Sequence, residues 1–317
     1  MSSRHRVLAE LLVLMYIALV AALAHASGIY YMLFPELGAL SYGVLTRPEG
    51  RWSHVPGKLV ATPALTAIAG TLITRSLPYG FTAVLLCVAS AIAIMSLLRS
   101  PIVPAISAGL LPLVLGIKSW WYPVGILPGT LCLAALSIPW RHFHRATGDQ
   151  QVRPQDQGPY RAESLSVMLV YRLLWVLAFV VLATGLGEWT GERFILFPPL
   201  VVITYEMLVH PNGCRELAVP MLRLPIVCLL AASGGLLCHH VLGVGPWAAV
   251  CSMVTGMVIL RVSALHFSPI LAIALLPQVM IHPTAAYPLT VLFGTLLLSG
   301  WFLLYRRIVP QAKPTSS

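Results

Sequence analysis

The stretch YPVGILPGTL at residues 122–131 returns at residues 287–296 as YPLTVLFGTL. Both copies begin with Tyr-Pro and end with Gly-Thr-Leu, and they lie 165 positions apart. The same offset places Leu-Leu-Pro at 110–112 on Leu-Leu-Pro at 275–277 without a gap. Chance similarity between two apolar segments does not explain Tyr, Pro and Gly at fixed spacing. The sequence therefore predicts an internal duplication.

A second match lies upstream of the first in each half. YMLFPELGALSYGVL begins at Tyr31, and FILFPPLVVITYEML begins at Phe194. Phe-Pro aligns with Phe-Pro, and Ser-Tyr aligns with Thr-Tyr. Because the matches follow the same order in both halves, the duplication extends over most of the chain.

The composition indicates whether the protein surface faces water or lipid. Hydrophobic residues make up 58% of the chain, charged residues make up 9%, and the mean hydropathy is +0.85. A soluble domain carries about 25% charged residues. So few charges cannot cover a water-exposed surface, and apolar runs near the ~20 residues that cross a bilayer recur along the chain. The sequence predicts a multi-pass membrane protein.

Each half divides into six apolar segments. They cover about 8–27, 29–46, 58–75, 79–98, 101–117 and 120–140, then 166–187, 194–210, 219–240, 245–262, 266–282 and 286–305. The expected fold is an all-α polytopic transmembrane helical bundle of two parallel six-segment repeats. The expected divisions are a first repeat at 1–140, a polar linker at 141–165, a second repeat at 166–307 and a tail at 308–317.

The basic residues predict the orientation. The net charge is +10, and most of the Lys and Arg residues fall between apolar runs, where the positive-inside rule puts them, rather than in a nucleic-acid-binding patch. If all segments cross, only Arg75, Lys118 and Arg193 lie outside. We expect a plasma (inner) membrane protein with its linker and both termini in the cytoplasm. If the second and fifth segments were re-entrant, the crossings would fall from twelve to eight with the same orientation.

The N-terminus has an alternative interpretation. A basic start, an apolar run and the small residues ALAHAS are typical of a cleaved secretory signal peptide. The second half has its own counterpart of this segment at 166–187, which favours retention as a membrane helix.

Prolines mark the second and fifth segments of each half. Proline inside a helix removes one backbone hydrogen bond, and in lipid the freed carbonyl needs a partner from protein or trapped water. Paired interrupted segments in two repeats indicate a transport site. The candidate helix-breaking residues are Pro35, Pro104, Pro112, Pro198, Pro269 and Pro277.

Ionisable residues within the spans are the candidates for function. Glu36 lies early in the second segment, follows a proline and has no cation at its depth. We predict that it begins a short helix whose amino end would hold a carboxylate. Arg172 and Glu206 lie within about one helical turn of the same depth, which predicts an ion pair. The remaining candidates, an aligned set of hydroxyl residues, are Ser41, Tyr42, Thr204 and Tyr205.

Other residue types indicate packing more than chemistry. The six cysteines form no CxxC pair, and Cys238-His239-His240 has no second cluster to complete a metal site. We expect no metal and no cofactor. Trp120, Trp121 and Tyr122 beside Lys118 are typical of an interfacial aromatic belt.

Each half resembles the HPP family of integral membrane proteins. The resemblance lies in FPELGALSYGVLTRPEG and FPPLVVITYEMLVHPNG, and in the proline-rich fifth segments followed by YPVGILPGTL and YPLTVLFGTL. It covers about 29–140 and 193–305, and it implies a helical membrane fold and a link to nitrite transport. The family's His-Pro-Pro is absent, and its polar loop survives only as RWSHVPGKL.

We therefore expect a secondary transporter or channel-like carrier for a small polar solute, with its site between the repeats and a small anion such as nitrite as the candidate solute. A structural or assembly subunit is the alternative. For either function, a homo-oligomer is an open alternative to a monomer. An enzyme is not expected, since the chain has neither an HExxH motif nor paired acids at helical spacing in a span. No Walker A motif for ATP-driven transport occurs.

Overall fold

A computed structural model describes residues 3–146, 167–209, 220–265, 267–280 and 282–309. Within these ranges the chain is all-helical and has no strand, which confirms the all-α part of the predicted fold. Most of the predicted linker at 141–165 and nearly all of the tail at 308–317 lie outside the described residues.

Each of the twelve predicted apolar segments contains one α-helix. In the first half these are α1 (Ser3–Ser27), α2 (Glu36–Thr46), α3 (Pro56–Ser76), α4 (Phe81–Leu97), α5 (Ala105–Leu115) and α6 (Trp121–Ala146). In the second half they are α7 (Val167–Thr190), α8 (Pro198–Val209), α9 (Leu224–Leu242), α10 (Pro246–Ser263), α11 (Pro269–Leu275) and α12 (Ala286–Ile308). A 3-10 turn at Leu276–Gln278 extends α11.

The helices fall into a long and a short class. Seven of them are long and apolar enough to cross a membrane, namely α1, α3, α6, α7, α9, α10 and α12, and α4 has 17 residues. The second and fifth helices of each half are much shorter, as their prolines predicted. The 11 residues of α2 or α5 span about 16 Å, roughly half of a bilayer core.

The short helices pack across the boundary between the halves. Helix α2 packs against α11, and α5 packs against α8. Among the long helices, α1 packs against α10 and α4 packs against α7. In each case the first or second helix of one half contacts the fourth or fifth helix of the other.

The prolines within the fifth segments explain two buried tyrosine hydrogen bonds. Pro112 has no N–H, so the carbonyl of Ala108, four residues earlier, lacks its usual helical donor. The hydroxyl of Tyr122 donates to that carbonyl at 2.8 Å. In the second half, Pro277 frees the carbonyl of Ile273 in the same way, and the hydroxyl of Tyr287 donates to it at 2.7 Å.

Close backbone packing recurs at the same spacing. A Cβ added to Gly70 of α3 would lie 1.9 Å from the carbonyl oxygen of Gly109, and one added to Gly235 of α9 would lie 2.0 Å from that of Ala274. Only glycine permits these contacts. Small residues at such crossings let membrane helices approach closely.

Polar contacts gather at two ends of the bundle. At the basic end, Lys58 donates to the carbonyl of Arg99, and Arg261 of α10 pairs with Glu10 of α1 across the two halves. At the opposite end, Arg75 donates to the carbonyl of Lys118.

Candidate functional site

The predicted helix-breaking prolines mostly stand at helix starts. Pro35 and Pro104 immediately precede α2 and α5, and Pro198 and Pro269 are the first residues of α8 and α11. Proline fits a helix start because the amide that it lacks would have no helical acceptor there. Pro112 lies inside α5 and Pro277 lies in the 3-10 turn after α11, so two of the six predicted prolines lie beyond a helix start.

Glu36 is the first residue of α2, as predicted, and it is buried deep in the bundle. Its exposed fraction is 1%, and neither carboxyl oxygen has a hydrogen-bond partner. The first-turn amides of Leu37 and Gly38 donate instead to the carbonyls of Phe34 and Pro35. The helix start therefore positions Glu36, but these two amides do not neutralise it.

Three hydroxyl groups lie near the Glu36 carboxyl, one of them beside it and two at longer range. Ser107, in the first turn of α5, lies close enough to interact with it, although neither group meets hydrogen-bond geometry. The hydroxyls of Tyr122 and Tyr287 lie within electrostatic range of the same carboxyl. Since Tyr287 belongs to the second half, Glu36 lies where the two halves meet.

The second half has no such polar cluster at the aligned positions. Pro199 stands where the first half has Glu36, and Ala272 stands where it has Ser107. The tyrosines are shared and the carboxyl is not. The two halves therefore differ at this position.

The predicted hydroxyl pair on the second segments is satisfied locally. Ser41 donates to the carbonyl of Gly38 and Thr204 to that of Leu200, both within their own helices. Tyr42 lies near the Glu10–Arg261 pair at the basic end, and Tyr205 is buried. These four residues do not gather around Glu36.

The predicted ion pair between Arg172 and Glu206 is absent. Arg172 donates to the carbonyl of Val209 at 3.0 Å. The charge that acts on Glu206 is that of Arg47, at the end of α2. The prediction was wrong because equal depth on two helices does not place two side chains on facing sides.

At the opposite end a carboxylate from one half caps a helix of the other. Glu188 of α7 accepts a hydrogen bond from the amide of Phe81, the first residue of α4, at 3.0 Å. Nearby, the guanidinium of Arg193 lies 4.8 Å from the ring centre of Tyr79. Burial raises the pKa of Tyr79 to about 12, although the Arg193 charge opposes the shift, so this phenol stays neutral at physiological pH.

The corresponding start of α10 borders a small crevice. It has room for about one water molecule, and its lining includes His25, Leu33, Gly245 and Gln278. Gln278 is 2% exposed and donates to Ser252 at 3.2 Å, while its amide oxygen has no partner.

Sequence reasoning missed three of the four groups at the site. Tyr122 was assigned to an interfacial belt, yet it is fully buried, whereas Trp120 and Trp121 are exposed as a belt requires. The signal was available, because Tyr122 and Tyr287 each stand ten residues after the proline whose freed carbonyl they satisfy. Ser107 carried no signal, since buried serines are common in membrane helices.

Comparisons with known proteins give no family. No protein-family model matches the chain, and neither a curated protein nor a solved structure is significantly similar to it. Within the described part of the chain no cluster of three or more His, Cys, Asp or Glu side chains could hold a metal ion.

Proposed function

We propose that this chain is an integral membrane secondary transporter or channel-like carrier for a small polar solute, with its site between two related six-helix halves. The observation that carries the proposal is Glu36. A buried carboxylate without a partner is very unfavourable, so this group holds a proton or a small cation. Ionisable groups inside membrane proteins mark ion and proton paths more often than structural contacts.

The short helices support a binding role for the same place. The first turns of α2 and α5 meet at Glu36 and Ser107, and each helix covers about half of the membrane thickness. Transporters build midplane sites from such discontinuous helices, because the free ends of the helices interact with charged solutes. Repeated cross-half contacts favour two parallel repeats related by an axis along the membrane normal.

The chemistry of the cluster defines the solute class. A protonated Glu36 and the Ser107 hydroxyl can both donate hydrogen bonds, so together they suit a small anion that travels with a proton. Nitrite, which the resemblance to the HPP family suggests, belongs to this class. The proposed orientation puts the basic end in the cytoplasm, in the plasma (inner) membrane.

Solute flux tests the proposal against a structural or assembly role. Purified protein in liposomes would be supplied with nitrite, nitrate or acetate, and uptake would be compared with protein-free liposomes. We expect uptake of at least one of these anions to exceed the background and to depend on pH. A folded, monodisperse protein that moves none of the three would favour the structural role.

A matched pair of variants locates the site. Glu36→Gln keeps the shape of the side chain and removes its titration, whereas Glu192→Gln changes an exposed acid near the opposite end. Loss of uptake in the first variant only would place the solute path at Glu36. Equal uptake in both variants would remove Glu36 from the mechanism.

A further inference from the structure

The starts of α4 and α10 occupy equivalent places in the two halves, yet they differ in what covers them. Gly80 precedes α4, and a Cβ placed on it would lie 3.1 Å from the Glu188 carboxylate that caps this helix. Gly245 precedes α10 at the aligned position, and a Cβ placed there would meet nothing within 4 Å. The crevice fills this space, so one start is closed by protein and the other is open.

Gln278 gives the open crevice a polar lining. A buried amide oxygen without a hydrogen-bond partner is unfavourable unless water reaches it. The aligned residue of the first half is Leu113, which needs no partner. The amide nitrogen of Gln278 donates to Ser252 of α10. The ring of His239 in α9 lies close enough to interact with the amide oxygen, although neither atom meets hydrogen-bond geometry. The groups present can hold one water molecule that donates to the amide oxygen.

This polar position lies beside the segment that leads into α2. Leu33 lines the crevice together with Gln278. A Cβ on Gly38 would contact Leu275 of α11 and Met253 of α10, which are close neighbours in sequence of Gln278 and Ser252. Glu36 lies between Leu33 and Gly38. Gln278 and Ser252 thus lie in or next to the two helices that contact the first turn of α2.

We infer that Gln278 and Ser252 bind a water molecule at the floor of this crevice, and that this hydrated position gives Glu36 access to the solution at the opposite end. The inference rests on the proposed function, because it assigns a route to the same carboxyl. It also assigns the route to one half only, since Glu188 and Leu113 occupy the equivalent places in the other.

Reaction of introduced thiols with Ag⁺, an ion close to water in size, tests the route without measuring transport. In full-length protein whose native cysteines are replaced by serine, Gln278→Cys should bind Ag⁺ at least tenfold faster than Leu113→Cys. The rates would be read from protection against later alkylation in denaturant. Equal rates would overturn the asymmetry.

A reporter at the carboxyl position tests the connection to Glu36. Glu36→Cys should react with Ag⁺, and adding Gln278→Leu should slow that reaction at least tenfold. Leu33→Cys, at the crevice itself, serves as a second reporter if Glu36→Cys does not fold. An unchanged rate after Gln278→Leu would overturn the route. If the parent protein carries no solute, the proposed function fails while these rates still decide whether the water path exists.

Discussion

The starts of α2 and α8 follow the same local plan but carry different chemistry. Each has a Phe-Pro pair after a short 3-10 turn, with Pro35 just before α2 and Pro198 as the first residue of α8. Both helices pack against the fifth helix of the other half. Glu36 opens the first, and Pro199 occupies the aligned place in the second. The fold needs the shared Phe-Pro pair, whereas nothing in the packing requires the acid. The two helix starts therefore share a backbone plan and differ in whether they carry an acid.

The largest expected loss of stability comes from the close helix crossings at Gly70 and Gly235, which the two halves share. Gly70→Ala and Gly235→Ala each drive a methyl group into a backbone carbonyl, so the helices must separate. We expect both to lower stability by about 3 kcal/mol, the upper part of the usual range for overpacking. Thermal unfolding in detergent would measure this. Gly185→Ala, where a Cβ meets nothing within 4 Å, is the control. A large loss of stability in only one of the two variants would show that the two helix crossings are not equivalent.

The next effect concerns the proline–tyrosine pairs. Tyr122→Phe leaves the carbonyl of Ala108 without a donor, and we expect a loss of about 2 kcal/mol from an unsatisfied buried group. Tyr287→Phe should cost a similar amount. Each variant would be compared with its parent by thermal unfolding.

A second substitution tests the stated reason. Pro112→Ala restores the helical N–H, so it should reduce the cost of Tyr122→Phe in a double-mutant cycle. Additive effects of the two changes would show that the hydroxyl does not replace the missing amide.

The smallest expected loss of stability concerns the starts of α4 and α10 at the opposite end. Glu188→Ala removes the acceptor for the amide at the start of α4, and capping losses are typically about 1 kcal/mol. His25 stands at the aligned position near α10 and is exposed, so His25→Ala should change unfolding by less than about 0.5 kcal/mol. Equal losses would mean that the two helix starts are covered alike.

Local features of the fold could be predicted, because each helix is encoded by its own stretch of sequence. All twelve apolar segments contain a helix, and the short helices fall where the prolines cluster. The position of Glu36 at the start of α2 followed from Pro35, which has a local conformational preference. Such features depend on residues close together in sequence.

The surroundings of Glu36 could not be predicted in the same way. Which side of a helix faces a neighbour depends on helix rotation, and uniformly apolar spans carry little periodic signal to fix it. Arg172 and Glu206 do not pair for this reason. The spacing from Pro277 indicated the hydrogen bond of Tyr287, but no pattern indicated that Tyr287 lies near Glu36 of the other half. Tyr122 was misassigned because its neighbours Trp120 and Trp121 do lie at the surface.

The proposed function requires that transport depend on a proton bound at Glu36. Nitrite uptake into liposomes would be measured from mildly acidic to mildly basic pH for the parent, Glu36→Gln and Glu192→Gln, with protein-free liposomes subtracted at each pH. The account predicts that uptake by the parent and by Glu192→Gln rises as the external pH falls, because the carboxyl must take up a proton with the anion. Glu36→Gln should fold normally, and its uptake should be lost or independent of pH. Uptake by Glu36→Gln that matches the parent at every pH would contradict the account.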